Sequence, residues 1–132
     1  MKVADTIERN AERQNRYREA NERVAEVYGN LAARGLLDEA SQFELFCECG
    51  QSAPCRERVR VTRATYERVR SDPTTFIVFP GHEAAAVENT IERGDGFLIA
   101  CNFGRAAEIA RAADPRRILH PTWKPRRVVL EP

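Results

Sequence analysis

Three of the chain's four cysteines fall within nine residues, Cys47-Glu48-Cys49-Gly50-Gln51-Ser52-Ala53-Pro54-Cys55, a C-x-C-x5-C spacing. On an extended backbone, residues i and i+2 project from one face, so Cys47 and Cys49 offer both sulfurs to a single ion. Gly50 and Pro54 let the loop turn back and carry Cys55 to the same point. A Cys47–Cys49 disulfide is disfavoured, because ideal extension puts their Cα atoms near the ~7 Å limit for a bridge. Soft thiolates select zinc over harder cations, and a structural zinc site takes four ligands. The fourth has three candidates. His82 follows an apolar run through Pro80-Gly81, where a tight turn exposes a side chain at the end of a sheet, with Glu83 beside it as an outer contact. Cys101 shares a strand face with Phe97 and Ile99, and a cysteine so placed is ordinarily buried packing. His120 sits in a Pro-rich tail, where ordering a ligand costs chain entropy. We rank His82 first, Cys101 second and His120 third, which makes Cys47, Cys49, Cys55 and His82 the expected Zn2+ ligands.

Three thiolates and an imidazole fill a tetrahedral shell and leave no open position for a substrate, so the pattern points away from an enzyme and no catalytic residue is assigned. The H-x-E and P-C-x-x-C signature of zinc nucleobase deaminases is not met: Arg58 stands where the second cysteine would fall. Phosphate-loop, H-E-x-x-H and G-x-S-x-G patterns are missing as well. Nucleic-acid binding has some basis. Arg56, Arg58 and Arg60 alternate and would share one face of a strand, and Arg116, Arg117, Lys124, Arg126 and Arg127 form a second basic group around Trp123. The plain reading of each group competes: alternating Arg decorates many half-buried strands, and Trp123 can anchor a tail.

The composition bounds the answer. At 132 residues the chain is one domain in size, and its 42% hydrophobic and 31% charged residues describe a polar globular protein. A formal charge of +1 draws it to neither nucleic acid nor anionic lipid, and the basic excess is confined to residues 115–132. Of the basic residues 19 are Arg and 2 are Lys, a bias that GC-rich coding produces without selection for anion binding. The apolar runs are too short to span a membrane, and MKVADTIERN carries charges where a secretory apolar region would have to sit. Cytoplasmic location and reduced thiols are therefore expected.

The elements that must position the cysteines follow from periodicity. Asp5 to Arg34 contains no Pro and reads as a helix, with Asp5 and Glu8 as a capping box and Gly35 as the stop. Tyr17, Ala20, Val24, Val27 and Leu31 form its apolar stripe, about two heptads, which favours packing within the chain over a coiled-coil dimer. Glu8–Arg16 reads as solvated. Phe43, Leu45, Cys47 and Cys49 alternate as a strand running into a loop, and Val59–Val61 is a short strand. Thr62 then caps a helix through Arg70 with Tyr66 and Val69 inward, which Asp72-Pro73 ends. Thr75–Phe79 and Phe97–Cys101 are strands, Arg93–Gly96 is a turn, and Ala84–Glu92 and Arg105–Ala113 read as helices. The expected fold class is α+β, a small sheet with packed helices, a long N-terminal helix and a zinc-binding loop. It divides into a helical arm (1–35), a zinc-binding core (36–114) and a basic Pro-rich tail (115–132).

Asn21-Glu22-Arg23, Phe46-Cys47-Glu48-Cys49 with Cys55, VRVTRATYERVR over 59–70 and FIVFPGH over 76–82 together resemble a family of small zinc-binding-like proteins of high-GC bacteria. The family's elements are N-E-R, F-x-C-E-C…C, V-x-L-T-x-x-E-Y-E-x-V-R and F-x-V-x-P-G-H. The likeness covers roughly residues 15–115 and departs at Arg60, Val61 and Thr65, none of them a candidate ligand. It implies metal binding through the three cysteines and the P-G-H histidine and carries no activity with it. The expected task is that of a zinc-stabilised regulatory or adaptor domain acting through a protein partner, as a monomer or a weak homodimer through the N-terminal helix. The alternatives are a nucleic-acid-binding zinc protein and a thiol-based redox sensor, in which oxidation would release the metal.

Overall fold

The computed structural model of the chain describes residues 3–38, 40–52 and 55–118. A helix α1 (Val3–Ala33) precedes a strand pair, β1 (Gln42–Phe46) and β2 (Arg58–Thr62), and a helix α2 (Arg63–Arg70). Strands β3 (Thr75–Val78), β4 (Glu88–Gly94) and β5 (Phe97–Asn102) follow, then helices α3 (Gly104–Ala112) and α4 (Pro115–Ile118). The class is α+β, as expected. The strands form two antiparallel sheets, β1-β2 and β3-β5-β4, with Phe43 opposite Val61 in the first and Ile77 opposite Ile99 in the second. No helix among the described residues is long and apolar enough to cross a membrane.

Local chemistry sets the element ends. Gly35, at φ 75°, closes α1 in a Schellman motif: its amide donates to Ala32 O at 3.0 Å and the Leu36 amide to Leu31 O at 2.9 Å. Asp5 lies inside α1 rather than at its cap. Thr62 caps α2 as expected, its hydroxyl accepting from the Thr65 amide at 3.2 Å.

The expected helix over Ala84–Glu92 does not form. The alanines favour helix locally, but Asp95-Gly96 is a two-residue hairpin turn, with Gly96 at φ 82° and Gly94 paired to Phe97. That turn folds β4 back on β5, and the ladder hydrogen bonds outweigh the propensity of three alanines. A register irregularity between Thr90 and Glu92 lets β4 bend along the sheet edge.

The core is continuous from one sheet to the other. Phe43, Leu45, Val59 and Val61 pack with Tyr66 and Val69 of α2 and with Ile77 and Ile99, against Val24 and Tyr28 of α1. Full burial of each such side chain contributes roughly 1.5–3 kcal/mol. Beside it, Cys47 and Cys49 are buried with Val78 and Leu98.

The buried face of α1 differs from the expected stripe. Ala11, Gln14, Arg18 and Asn21 are essentially inaccessible, whereas Val27 is 56% exposed. Glu8–Arg16, read as solvated, therefore carries part of the interface. Its polar side chains face backbone groups of later elements that lack strand partners. Arg18 donates to the carbonyls of Pro73 and Ala110 and lies 4.8 Å over the Phe76 ring, while burial lowers its pKa to about 10.

Candidate metal centre

Past Phe46 the chain stops pairing with β2 alone and passes between the sheets. The Cys47 amide donates to Glu57 O at 3.3 Å, and the Glu48 amide to Ile77 O, on the edge of β3, at 2.8 Å. Cys47 and Cys49 thus emerge on one side of an extended segment, as their spacing implies, and the loop back to β2 delivers Cys55. His82 comes from the far end of β3. There Phe79-Pro80-Gly81-His82 closes a turn, with the His82 amide donating to Phe79 O at 2.9 Å and Gly81 at φ 93°. Pro at the second and Gly at the third position are the chemistry of a type II turn, where a side chain at the glycine would be strained. Glu83 braces it by accepting from the Gly81 amide at 2.9 Å.

One ligand atom from each of Cys47, Cys49, Cys55 and His82 lies within 4.8 Å of all the others, close enough to hold a metal ion. His82 turns Nδ1 inward, 3.7 Å from Cys47 Sγ and 3.4 Å from Cys55 Sγ, with its ring edge-on to Phe79. The Phe79 amide donates to Cys47 Sγ at 3.1 Å, a contact that favours the thiolate. Packed thiols divide their protons unequally. A hydrogen bond from Cys47 holds the Cys49 thiol down at about 5; that bond and then burial push Cys47 up, and burial pushes Cys55 up.

Cys101, the second-ranked ligand, stands outside the cluster, its Sγ 3.3 Å from Thr74 Oγ1. His120, Trp123, Lys124, Arg126 and Arg127 lie outside the described residues, as does Pro54. Of the remaining arginines, Arg58 and Arg60 share the exposed face of β2. Arg116 pairs with Glu22 at 3.2 Å and Glu67 at 3.0 Å, and Arg60 stands 3.8 Å from Glu44. Arg58 lies 4.5 Å over the Phe46 ring and donates to the carbonyls of Arg56 and Glu57, while Arg56 and Arg117 are exposed.

Glu48 is the residue whose role spacing alone does not show. It is fully buried and turned away from the sulfurs. Its carboxylate accepts from Arg70 Nη1 and Nη2 at 2.8 and 2.7 Å, from Asn21 Nδ2 at 2.7 Å and from the Ile77 amide at 2.9 Å. Burial opposes the charge on Arg70, but the Glu48 carboxylate more than offsets it and keeps the Arg70 pKa above its ordinary value. Asn21 also brackets Phe46, donating to its carbonyl and accepting from its amide, both at 2.9 Å, as a strand neighbour would. From the same helix Asn10 and Arg13 both donate to Gly50 O at 2.8 Å. The segment from Phe46 to Gly50, which carries the first two cysteines, is therefore fastened to α1, α2 and β3 at once. No family model, curated protein or solved structure matches the chain.

Proposed function

We propose that Cys47, Cys49, Cys55 and His82 hold one Zn2+ as a structural ion, and that the chain is a small regulatory or adaptor domain acting through a protein partner in a reducing compartment. The convergence of three sulfurs and one imidazole from two separate loops carries this reading. A tetrahedral ion with Zn–S of ~2.3 Å sets its ligand atoms roughly 3.5–3.8 Å apart. The 3.4 and 3.7 Å separations around His82 Nδ1 suit it. Four protein donors close the shell, and the two neighbouring carboxylates serve the fold, Glu48 against Arg70 and Glu83 against the turn. That favours a stabilising ion over a catalytic one. The likeness to zinc-binding-like proteins of high-GC bacteria supports the same ligand set. Elemental mass spectrometry on protein purified without added metal tests it, with wild type, His82→Ala and Cys101→Ser side by side. We expect one zinc per chain in wild type and Cys101→Ser and none in His82→Ala; full zinc in His82→Ala, or a metal-free wild type, overturns the assignment.

A further inference from the structure

Between the N-terminal half of α1 and the metal loop lies a cleft of 390 Å³, within the size range of small-molecule sites. Its floor is aromatic: the Tyr17 and Phe46 rings stand 6.2 Å apart, tilted by 42°. Arg13 and Arg16 of α1 form one wall, Gln51 and Ser52 of the loop contribute to the other, and no carboxylate among the described residues lines it. Arg58, outside the lining, lies 4.5 Å over the Phe46 ring and holds it in place. Arg13 is fixed at the rim because its Nε is spent on Gly50 O. Arg16 is exposed and makes no ion pair among the described residues.

We propose that this cleft binds a planar ring carrying a phosphate, the chemistry of a nucleotide. Tilted aromatic rings offer a stacking surface for a planar heterocycle, and stacking tolerates any base. Guanidinium forks match the oxygens of an anion in bidentate fashion. The anion is assigned as phosphate rather than carboxylate because two guanidinium groups, those of Arg13 and Arg16, line the cleft with no carboxylate between them among the described residues, and a phosphate monoester brings a charge of about −1.5 to −2 where a carboxylate brings one. Gln51 and Ser52 supply both donors and acceptors for the polar edge of the ring. These residues are distinct from the Arg60 and Arg116 groups, whose charges already face carboxylates. The site does not depend on which metal the cysteines hold.

The test is a 15N-edited NMR titration of the full chain, as purified, with 5′-AMP, adenosine, ribose 5-phosphate and a short oligothymidylate carrying a 5′-phosphate. We expect saturable shifts at Tyr17, Phe46 and Gln51 with 5′-AMP, and binding about tenfold or more weaker with adenosine or with ribose 5-phosphate. Arg16→Glu is expected to weaken 5′-AMP by a similar factor with no change in melting temperature, because the side chain is exposed and unpaired. Tighter binding of the oligothymidylate than of 5′-AMP identifies the source as a single strand, and equal or weaker binding a free nucleotide; both bear the proposal out. It is overturned if these residues show no saturable shift, if ribose 5-phosphate binds as well as 5′-AMP, or if Arg16→Glu has no effect.

Discussion

Glu48 sits between two cysteines of the candidate metal centre, yet its work is done on the opposite side of the backbone. The alternation of an extended chain sends the sulfurs one way and the carboxylate the other, into Arg70, Asn21 and the Ile77 amide. Glu48→Gln leaves the wholly buried Arg70 without its counter-charge, and we expect a loss of about 3–5 kcal/mol in urea unfolding, against about 1 kcal/mol or less for Glu44→Gln on the surface. The sulfurs were legible because three cysteines so close have few other uses. Glu48 was not, because the outward face of a strand is ordinarily wet, and only the passage of this segment between two sheets buries both its faces. The thiols also set a pH dependence. Cys49, held down at about 5 by the hydrogen bond from Cys47, is expected to be ionised at pH 7, and Cys47 and Cys55, both pushed up, to keep their protons. If the cluster takes zinc as proposed, binding is expected to expel about two thiol protons, and apparent affinity to rise about a hundredfold per pH unit near neutrality. Calorimetry in buffers of different ionisation enthalpy reads the proton count directly, and a count near three would show that Cys49 is not the ionised thiol.

At the scale of elements, α1 does what an added strand would do. Asn21 pairs with both backbone groups of Phe46, and Gln14 bonds Glu88 Oε1 at 2.9 Å while accepting from Asn102 at 3.1 Å. A helix face that packs through amides and a guanidinium carries no apolar signal, so the sequence pattern points to the stripe Tyr17–Leu31 and reads Gln14, within Glu8–Arg16, as solvated. The spacing of Gln14, Arg18 and Asn21, at intervals of four and three, is the one signal that they share a face. Helix and loop meet most closely at Gly50, where a Cβ would stand 2.4 Å from the Asn10 side chain and 2.5 Å from its carbonyl oxygen. Gly50→Ala is expected to cost about 1–3 kcal/mol in thermal or urea unfolding. Adding Asn10→Ala should not restore stability, because the clash with the helix backbone remains; recovery in the double variant would show that only the side chain is in the way.

Over the whole molecule, the segment from Phe46 to Gly50 is tied to α1, α2 and β3, whereas α4 is held from outside by Arg116 between Glu22 and Glu67. Truncation after Asp114 is expected to leave metal content unchanged and to cost about 1 kcal/mol, the worth of a partly exposed ion-pair network. Loss of the metal would instead bring His120 into the site. The same ties have a consequence in time. Arg18 reaches Ala110 and Arg105 reaches Glu8, contacts separated by 92 and 97 residues along the chain. Because α1 is synthesised ahead of every element it packs on, it leaves the ribosome with its polar face satisfied only by water. Its docking must wait until α3 has followed, so a late-made part of the chain licenses an early-made part to settle, and a high contact order slows the final step.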